Sequence, residues 1–355
     1  METAVNKIRI AVVGVGLIGK RHIECIQADS NCELSAIVDP EPSVEGTALK
    51  EGVCYYKKLE ELLEKDCLDG MILATPNQLH VEQALKGIEA GIAILIEKPL
   101  AHTVEEGERL CEAANVAKAK ILVGHHRAYS TIMTSSRQIV EQGLLGKLVA
   151  GMGSAMFYKP NEYFDNAPWR CQSGGGPILL NMIHEVHNLR MLCGEIVEVQ
   201  AFSSNKTRGF LVEDTVAINL KFANSILGTF LLSDTVGSAR SWEQTSQEDK
   251  SFSTYPDEDC YVIVGTSGSL AIPTMRLKTY EKHEDKSWWK PFKTDKIEVK
   301  RTDPLKRQLE HFCAMIYDHE KPIVTAQDGL QNLRITEAIV EATQTGKSVN
   351  IMPMT

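Results

Sequence analysis

The chain has 355 residues, a formal net charge of −9 at pH 7 and 43% hydrophobic residues. A chain of this length exceeds what one hydrophobic core usually organises, so two domains are expected. The acidic balance offers no broad basic surface to phosphate backbones or anionic lipid, so nucleic acid and membranes are not expected as partners.

The start of the chain and its cysteines indicate a cytoplasmic setting. Residues 1–7 are polar, the apolar run after them leads into a glycine turn instead of a cleavage site, and no stretch reaches the roughly 20 apolar residues of a membrane span. The nine cysteines are scattered and none forms a Cys-x-x-Cys pair. Neither a metal site nor a disulfide framework is predicted.

Strand-like and helix-like segments alternate over the first 125 residues, a pattern typical of a parallel sheet covered on both faces. The predicted strands are 8–13, 34–38, 71–74, 93–96 and 121–123. Helices are expected from Ile18, over 59–64, over 80–90 and after Thr103, which forms a capping box with Glu106. We predict a Rossmann domain, a doubly wound α/β fold, over residues 1–124.

The pattern changes to predominantly strands after Gly124. The predicted strands are 147–157, 197–203, 215–222, 226–232, 260–265 and 277–280. Residues 238–259 are polar and predict a long surface loop, and residues 328–345 have helical spacing. We therefore predict a second, α+β domain over residues 125–355, built on a mostly antiparallel sheet.

A glycine pattern, Gly14-Val-Gly16-Leu17-Ile18-Gly19, follows the first predicted strand and opens a helix. In this context Gly14 permits a tight turn, Gly16 lets the backbone approach a pyrophosphate, and Gly19 allows the helix to pack closely on the strand. The helix start then offers N–H groups to the phosphates. The alternative is a glycine turn without a ligand.

Asp39 ends the second predicted strand, about 20 residues after the last glycine, where a carboxylate can accept hydrogen bonds from the adenosine ribose. The same charge repels a 2′-phosphate, and no arginine lies beside it in sequence. The pattern favours NAD over NADP. The alternative is a turn aspartate before Pro40.

Two further segments follow predicted strands and are expected at the same edge of the sheet as the glycine turn. One is Thr75-Pro76-Asn77, with His80 after it, and the other is Glu97-Lys98. Lys98 is then placed near the nicotinamide, where a lysine in a partly dry cleft can exchange a proton with a substrate hydroxyl. From this segment alone, a solvated lysine at a strand end is the simpler interpretation.

A helix is predicted after the triple glycine 174–176, and Asn181, His184 and His187 recur on it at three-residue intervals. One face then presents an amide and two imidazoles. Metal ligation is not indicated, because no Asp, Glu or Cys joins that face. Polar residues on a partly buried helix are the alternative.

Taken together and in this order, these segments resemble the oxidoreductase family named after glucose-fructose oxidoreductase, inositol dehydrogenase and MocA (Gfo/Idh/MocA). The resemblance spans nearly the whole chain and includes Trp169-Arg170 before the triple glycine and the segment 321–329. It implies that Lys98 is the proton donor or acceptor and that His184 binds or polarises the substrate. It also implies that the sheet of the second domain packs against another subunit, giving homodimers or homotetramers.

The resemblance adds weaker candidates and shows one departure. Arg127, Tyr163 and Trp169 are expected to contact the substrate and Arg170 the cofactor, although each can equally be a surface or packing residue. Inositol-dehydrogenase-like members place an aspartate four residues before the histidine, and this chain has Leu180 there. An amide such as Asn181 cannot replace that aspartate as a base, and His187 also stands where an aspartate is frequent.

The function predicted from the sequence is oxidation of a secondary alcohol of a sugar, polyol or related cyclic compound with NAD, or the reverse reduction. Two alternatives stay open: a glycosidase that uses tightly bound NAD transiently, and a corepressor that binds NAD without catalysis. The presence of both Lys98 and His184 argues against the corepressor. Trp288-Trp289 receives no role in the site.

Overall fold

A computed structural model describes residues 7–354. The chain forms two compact units, the first made of the described residues up to His126 together with Leu305–Leu333, and the second of Arg127–Pro304 and the residues from Arg334 onward. The predicted division at residue 124 differs from this grouping chiefly because residues 305–333 belong to the first unit. Residues 1–6, on which the expected absence of a leader partly depends, lie outside the described residues.

The described part of the first unit contains a six-stranded parallel sheet in the order β3-β2-β1-β4-β5-β6. Its strands are β1 Ile8–Val13, β2 Cys32–Val38, β3 Cys54–Tyr56, β4 Gly70–Leu73, β5 Ala93–Glu97 and β6 Ile121–Gly124. The order reverses between β1 and β4, and sheets of this type bind ligands outside the carboxyl ends of their strands at that reversal. The predicted Rossmann fold is confirmed.

Helices cover this sheet, which is why its central strands are continuous apolar runs. The helices are α1 Leu17–Ala28, α2 Glu45–Glu51, α3 Leu59–Lys65, α4 His80–Glu89 and α5 Val104–Ala117. Every residue of β4, β5 and β6 is buried. The predicted helix start is confirmed with Thr103 as the N-cap residue, whose Oγ1 accepts from the N–H of Glu106 at 3.3 Å.

In the second unit, as far as it is described, nine strands form a sheet in the order β14-β13-β12-β11-β7-β10-β9-β8-β15. The strands are β7 Leu148–Met156, β8 Ile196–Ser204, β9 Thr215–Phe222, β10 Leu227–Ser233, β11 Tyr261–Gly265, β12 Gly268–Ile272, β13 Arg276–Thr279, β14 Lys293–Lys296 and β15 Val349–Asn350. All neighbours are antiparallel except β7 and β10, which are parallel. The predicted mostly antiparallel sheet is confirmed.

The helices of this unit before its last strand are α6 Thr131–Glu141, α7 Asn161–Asp165, α8 Ile183–Cys193 and α9 Trp242–Thr245. Along β9, buried and exposed side chains alternate. One face of the sheet therefore packs on the hydrophobic core, which includes residues of α6 and α8, and the other face is exposed. The predicted loop 238–259 is irregular apart from α9.

Two helices near the end of the chain are α10 Pro304–Ile316 and α11 Ala326–Thr345. Leu309 and Phe312 of α10 are fully buried in the same core as Ile10 and Ile72 of the parallel sheet. This apolar contact is the physical reason why residues 305–333 group with the first unit. The helix predicted over 328–345 is confirmed as α11.

Three findings hold for residues 7–354. No helix is both long enough and apolar enough to cross a bilayer. No group of three or more His, Cys, Asp or Glu side chains is arranged to hold a metal ion. The nine cysteines are free thiols, and most of them are buried.

Candidate active site

The turn between β1 and α1 has the geometry that the glycine pattern predicts. Gly14 has a φ of +91°, and a Cβ added there would lie 2.7 Å from the backbone of Ala74. A Cβ added at Gly19 would overlap the carbonyl oxygen of Gly14, so only glycine lets α1 pack this closely on the turn. A Cβ added at Gly16 would meet no atom within 4 Å, so this backbone faces open space.

The start of α1 fits a dinucleotide. Gly16 occupies the N-cap position, no side chain caps the helix, and its first turn carries no acidic residue. Leu17, the first helical residue, is 83% exposed. A helix start with available N–H groups and the positive end of the helix dipole suits a pyrophosphate.

Asp39 follows β2 and holds the glycine turn in place. Its Oδ2 accepts from the N–H of Val15 at 2.8 Å, and its Oδ1 accepts from the N–H of Glu41 at 2.9 Å. Each carboxylate oxygen can accept a second hydrogen bond, so the predicted ribose contact stays compatible with this geometry. The tether to Val15 is a role that the sequence spacing does not reveal.

The loop after β4 contains the predicted cofactor contacts Thr75, Pro76 and Asn77. Pro76 is exposed and Asn77 begins a short 3-10 helix. His80 is buried, and its ring nitrogens lie 2.9 Å from the carbonyl oxygens of Thr75 and Pro99. Burial lowers the pKa of His80. Since both nitrogens face carbonyl groups, the geometry favours a role for His80 in joining two loops over the predicted direct cofactor contact.

Glu97 is the last residue of β5 and directly precedes Lys98 in sequence, and its side chain is buried. The Nε2 of His22 lies 2.8 Å from its Oε1, and the backbone N–H of Lys98 donates to its Oε2 at 3.2 Å. Burial by itself raises the pKa of Glu97, but the His22 hydrogen bond and nearby positive charges outweigh burial, so the pKa lies below its ordinary value. A Cβ at Gly124 would lie 2.9 Å from the Cα of Glu97, so glycine leaves room for this arrangement.

The first unit therefore brings together segments that are distant in sequence. His22 belongs to α1, the helix that the glycine turn opens, and Glu97 adjoins Lys98. The glycine turn, Asp39, the Thr75 loop and Lys98 follow β1, β2, β4 and β5 of one parallel sheet. They lie at the same edge of this sheet, as its topology requires.

In the second unit the triple glycine leads into a helix whose first turns are π-helical. The π-helix spans Ile178–Met182 and continues directly into α8. The Oε1 of Glu213 accepts from the N–H of Ile178 at 2.8 Å, and a Cβ at Gly176 would collide with this carboxylate. Glu213 thus caps the helix, a role that the sequence analysis missed because no spacing links Glu213 to the glycines.

The three predicted polar residues of this helix are placed differently from one another. Asn181 lies in the π-helix, and its Oδ1 accepts from the Nζ of Lys159 at 2.7 Å. His184 and His187 lie in α8 and are 7% and 5% exposed. π-Helical turns occur frequently at functional sites.

Lys159 is a second residue that the sequence analysis missed. Lys159 follows β7 and Asp234 follows β10, and these two strands are parallel neighbours. The Nζ of Lys159 lies 3.6 Å from the Oδ2 of Asp234. Burial lowers the pKa of Lys159 to about 8, although Asp234 opposes this shift. Only the pairing of β7 with β10 brings this lysine into a site, and the sequence alone does not show that pairing.

Three of the predicted site residues lie in α7 or in the short segment that follows it, namely Tyr163, Trp169 and Arg170. The guanidinium carbon of Arg170 lies 3.7 Å from the ring centroid of Tyr163, and its Nη1 donates to the carbonyl of Tyr163 at 2.6 Å. The same ring lies 4.9 Å from the Nζ of Lys159. Trp169 is 53% exposed. Tyr163 and Arg170 therefore share one cluster with Lys159.

Arg127 is in a different environment from the one predicted. Its Nη1 donates to the Oε1 of Glu185 at 2.6 Å and its Nη2 to the Oε1 of Glu243 at 2.5 Å. The side chain is 4% exposed and lies against the ring of Trp242. Both ends of the guanidinium are used inside the unit, so the geometry favours a structural role for Arg127 over the predicted substrate contact.

Comparison with known families identifies the chain. Residues 8–125 match an oxidoreductase family described by its NAD-binding Rossmann fold, and residues 137–351 match the C-terminal alpha/beta domain of the same family. The chain belongs to the Gfo/Idh/MocA oxidoreductase family. The resemblance inferred from the sequence motifs is confirmed.

Individual Gfo/Idh/MocA proteins are similar over most of their length. The chain is 26% identical to 1,5-anhydro-D-fructose reductase of Ensifer adhaerens, over 82% of this chain and 83% of that protein. It is 22% identical to inositol 2-dehydrogenase of Rhizobium meliloti strain 1021, over 97% and 99% respectively. The structure of the WlbA dehydrogenase from Bordetella pertussis, in complex with NADH and UDP-GlcNAcA, has a TM-score of 0.80, 24% identity and coverage of 99% of this chain and 100% of that one.

These findings give the class of protein. The chain is a Gfo/Idh/MocA oxidoreductase that acts on CH–OH groups and is related to inositol and sugar dehydrogenases. Its first unit carries the NAD(P)-binding fold.

Proposed function

We propose that the protein is an NAD-dependent dehydrogenase that oxidises a secondary alcohol of a sugar, inositol, polyol or related cyclic hydroxy compound, or reduces the corresponding ketone. The observation that carries this proposal is the contact between His22 and Glu97, which ties the helix opened by the glycine turn to the segment of Lys98. The relatives named inositol 2-dehydrogenase and 1,5-anhydro-D-fructose reductase support this class of substrate.

The proposal gives each polar residue one task. The nicotinamide, when bound, supplies the hydride chemistry. Lys98 accepts the hydroxyl proton during oxidation and returns it during reduction, with His184 assisting, and Glu97 holds the Lys98 backbone. Asn181 can orient a hydroxyl but cannot accept its proton, and Leu180 stands where inositol-dehydrogenase-like members have an aspartate, so proton transfer falls to Lys98.

The test is a screen for NADH or NADPH formation with a panel of neutral sugars, sugar acids, inositols and cyclic diols. A dehydrogenase accumulates the free reduced cofactor with its substrate. The glycosidase alternative produces no net reduced cofactor and releases an aglycone, and the corepressor alternative does neither and binds a protein partner. Absence of dinucleotide binding in calorimetry would contradict all three.

We also propose that NAD is preferred over NADP, because the Asp39 carboxylate lies where a 2′-phosphate would meet a like charge. In Asp39→Asn the amide oxygen can still accept from the N–H of Val15 while the charge is removed. We expect affinity for NADP to rise about tenfold or more and affinity for NAD to change by less than about threefold, since removing a like-charge contact near the surface is worth at least ~1.4 kcal/mol.

The matched control is Asp39→Ala, which removes both the charge and the acceptor of the Val15 N–H. We expect this variant to bind both cofactors more weakly than Asp39→Asn does. Calorimetry with each cofactor measures these affinities. An unchanged ratio of NADP to NAD affinity in Asp39→Asn would place the 2′ position elsewhere.

We further propose that the exposed face of the nine-stranded sheet, here called the outer sheet face, pairs copies of the chain into homodimers or homotetramers. Large apolar side chains on this face are 41–64% exposed, namely Met152, Phe202, Leu227 and Leu231. Met152 is paired with Thr229, and Leu231 with Ala217. Contiguous exposed apolar surface of this kind marks protein interfaces.

Leu231→Glu tests the interface by placing a charge in the middle of the outer sheet face. We expect analytical ultracentrifugation to show a smaller species than the unmodified protein, because a buried unpaired carboxylate at an interface is strongly unfavourable. Val116→Glu, at a position of α5 that is 80% exposed, serves as the control and should leave the mass unchanged. A monomeric unmodified protein would refute the proposal.

A further inference from the structure

Lys159 keeps an ammonium group in a nearly buried position, since its side chain is 11% exposed. Its Nζ donates to the Oδ1 of Asn181 at 2.7 Å and lies 3.6 Å from the Oδ2 of Asp234. The ring centroids of Phe157 and Tyr163 lie 5.5 and 4.9 Å away. An ammonium has three N–H donors, and Asn181 accepts one of them at normal hydrogen-bond distance.

The carboxylate nearest to Lys159 is shared with another buried cation. Arg208, with a side chain 6% exposed, donates from Nε to the Oδ1 of Asp234 at 2.8 Å and from Nη2 to the carbonyl of Lys159 at 2.8 Å. Arg170 adds a further positive charge that acts on Lys159. Two buried cations therefore share one carboxylate.

The other acidic groups near Lys159 have partners of their own. Glu243, which also favours the ammonium, forms an ion pair with Arg127 at 2.5 Å. Glu213 accepts from the N–H of Ile178, and burial raises its pKa, which favours its neutral form. Neither carboxylate forms an ion pair with Lys159 or Arg208, and the buried Asp214 accepts from the backbone N–H groups of Thr207 and Arg208.

The partners of the Lys159 ammonium do not fully offset the cost of burying its charge. Burial lowers the pKa of Lys159 to about 8, so Asp234 and Glu243 offset only part of the cost of burying the charge. A carboxylate brought in by a ligand would accept a hydrogen bond from the ammonium and place a negative charge beside it. A neutral hydroxyl would do only the first, and charge-assisted hydrogen bonds are roughly twice as strong as neutral ones.

Lys159 also lies close to a residue of the proposed reaction. Asn181, its hydrogen-bond partner, precedes His184 by three residues on one continuous helical segment. Residues at this spacing are neighbours on a helix surface. Through Asn181, Lys159 therefore adjoins the helical segment that carries His184.

We propose that Lys159 is a substrate-binding residue that recognises a carboxylate, and that the substrate is a hydroxy acid of the sugar-acid type. This inference rests on the proposed dehydrogenase function and narrows its substrate class.

The first experiment compares turnover of matched acid and neutral compounds: D-glucuronate with D-glucose, D-galacturonate with D-galactose, and L-tartrate with L-threitol. We expect at least one acid to exceed its neutral partner in kcat/KM by about tenfold or more. In Lys159→Met, kcat/KM for that acid should fall by roughly 10- to 150-fold, mostly through KM, because a hydrogen bond to a charged group contributes about 1.5–3 kcal/mol. Turnover of the neutral partner should change by less than about threefold.

Lys250→Met, which removes an exposed lysine of the same unit, is the matched control and should change neither compound. Preference for the neutral members, or an equal loss for both members in Lys159→Met, would overturn the proposal. A methionine at this buried position retains most of the side-chain volume, and Asp234 keeps its ion pair with Arg208, so the substitution does not leave this carboxylate without a cation. The melting temperature of Lys159→Met should therefore not fall.

The pH dependence separates recognition from a purely structural role. The ammonium of the free protein loses its proton as the pH rises through about 8, so KM for the acid should be constant below that pH and increase above it. In Lys159→Arg the guanidinium stays charged, and the increase should disappear while the acid is still bound. An increase of KM that persists in Lys159→Arg would contradict the assignment.

A binding measurement tests the proposed carboxylate site even if none of these compounds is turned over. Calorimetry of D-glucuronate, D-galacturonate and L-tartrate against the NADH-loaded protein should detect at least one complex in the unmodified protein and a weaker one in Lys159→Met. Above pH 8 the bound complex should take up protons from the buffer. If no compound reduces NAD but an acid binds in this way, the proposed function fails and the carboxylate site stands; if no acid binds, the carboxylate site fails.

Discussion

Lys98→Ala should lower kcat by about 100- to 10,000-fold, the range that proton transfer by a positioned side chain contributes. The affinity for NAD should change little, because the glycine turn, the start of α1 and Asp39 do not depend on the lysine side chain. Steady-state kinetics on the substrate found in the screen, together with calorimetry of NAD binding, measure the two effects separately.

Lys98→Arg distinguishes proton transfer from charge. A guanidinium retains the positive charge but does not release its proton at accessible pH, so this variant should be nearly as inactive as Lys98→Ala. Lys50→Ala, at an α2 position whose side chain is 82% exposed, should retain full activity. Full turnover by Lys98→Ala would remove Lys98 from the mechanism.

Arg127→Met should lower the free energy of unfolding by about 3–5 kcal/mol, because breaking a buried ion pair leaves an uncompensated charge. The carboxylates of Glu185 and Glu243 lose their common cation, and burial already raises the pKa of Glu185. Chemical denaturation followed by circular dichroism measures the loss.

A surface ion pair of the same unit provides the comparison. Arg137 and Glu141 lie 2.7 Å apart with side chains 53% and 57% exposed, so Arg137→Met should cost less than about 1 kcal/mol. Similar losses in the two variants would show that the Arg127 network contributes no more than an exposed pair.

Most of the fold follows from local patterns in the sequence. Strands buried on both faces, such as β4 and β5, are short apolar runs between helices, and strands buried on one face, such as β9, alternate. The strands that the patterns missed include β3, which has three residues, and β14, whose residues are largely exposed. Neither has enough buried side chains to produce a period.

The candidate site of the first unit could be predicted because each of its segments directly follows a strand of one parallel sheet. Position along the chain is then enough to place Gly14, Asp39 and Lys98 at one edge. The second unit is different, because Lys159 and Asp234 meet only through the pairing of two strands far apart in sequence. Patterns also do not report side-chain partners, which is why the loop contacts of His80 and the ion pairs of Arg127 were not foreseen.

The π-helical turn before α8 sets where Asn181 lies relative to the residues of α8. A π turn contains one residue more than an α turn, and each residue of an α-helix rotates the chain by about 100°. Deleting one residue between Ile178 and Met182 would rotate the segments on its two sides relative to each other by about 100°, which would disturb the contact between Asn181 and Lys159. Given the proposed role of Lys159, a single-codon deletion at this point would be a short evolutionary route to a relative with a different substrate specificity.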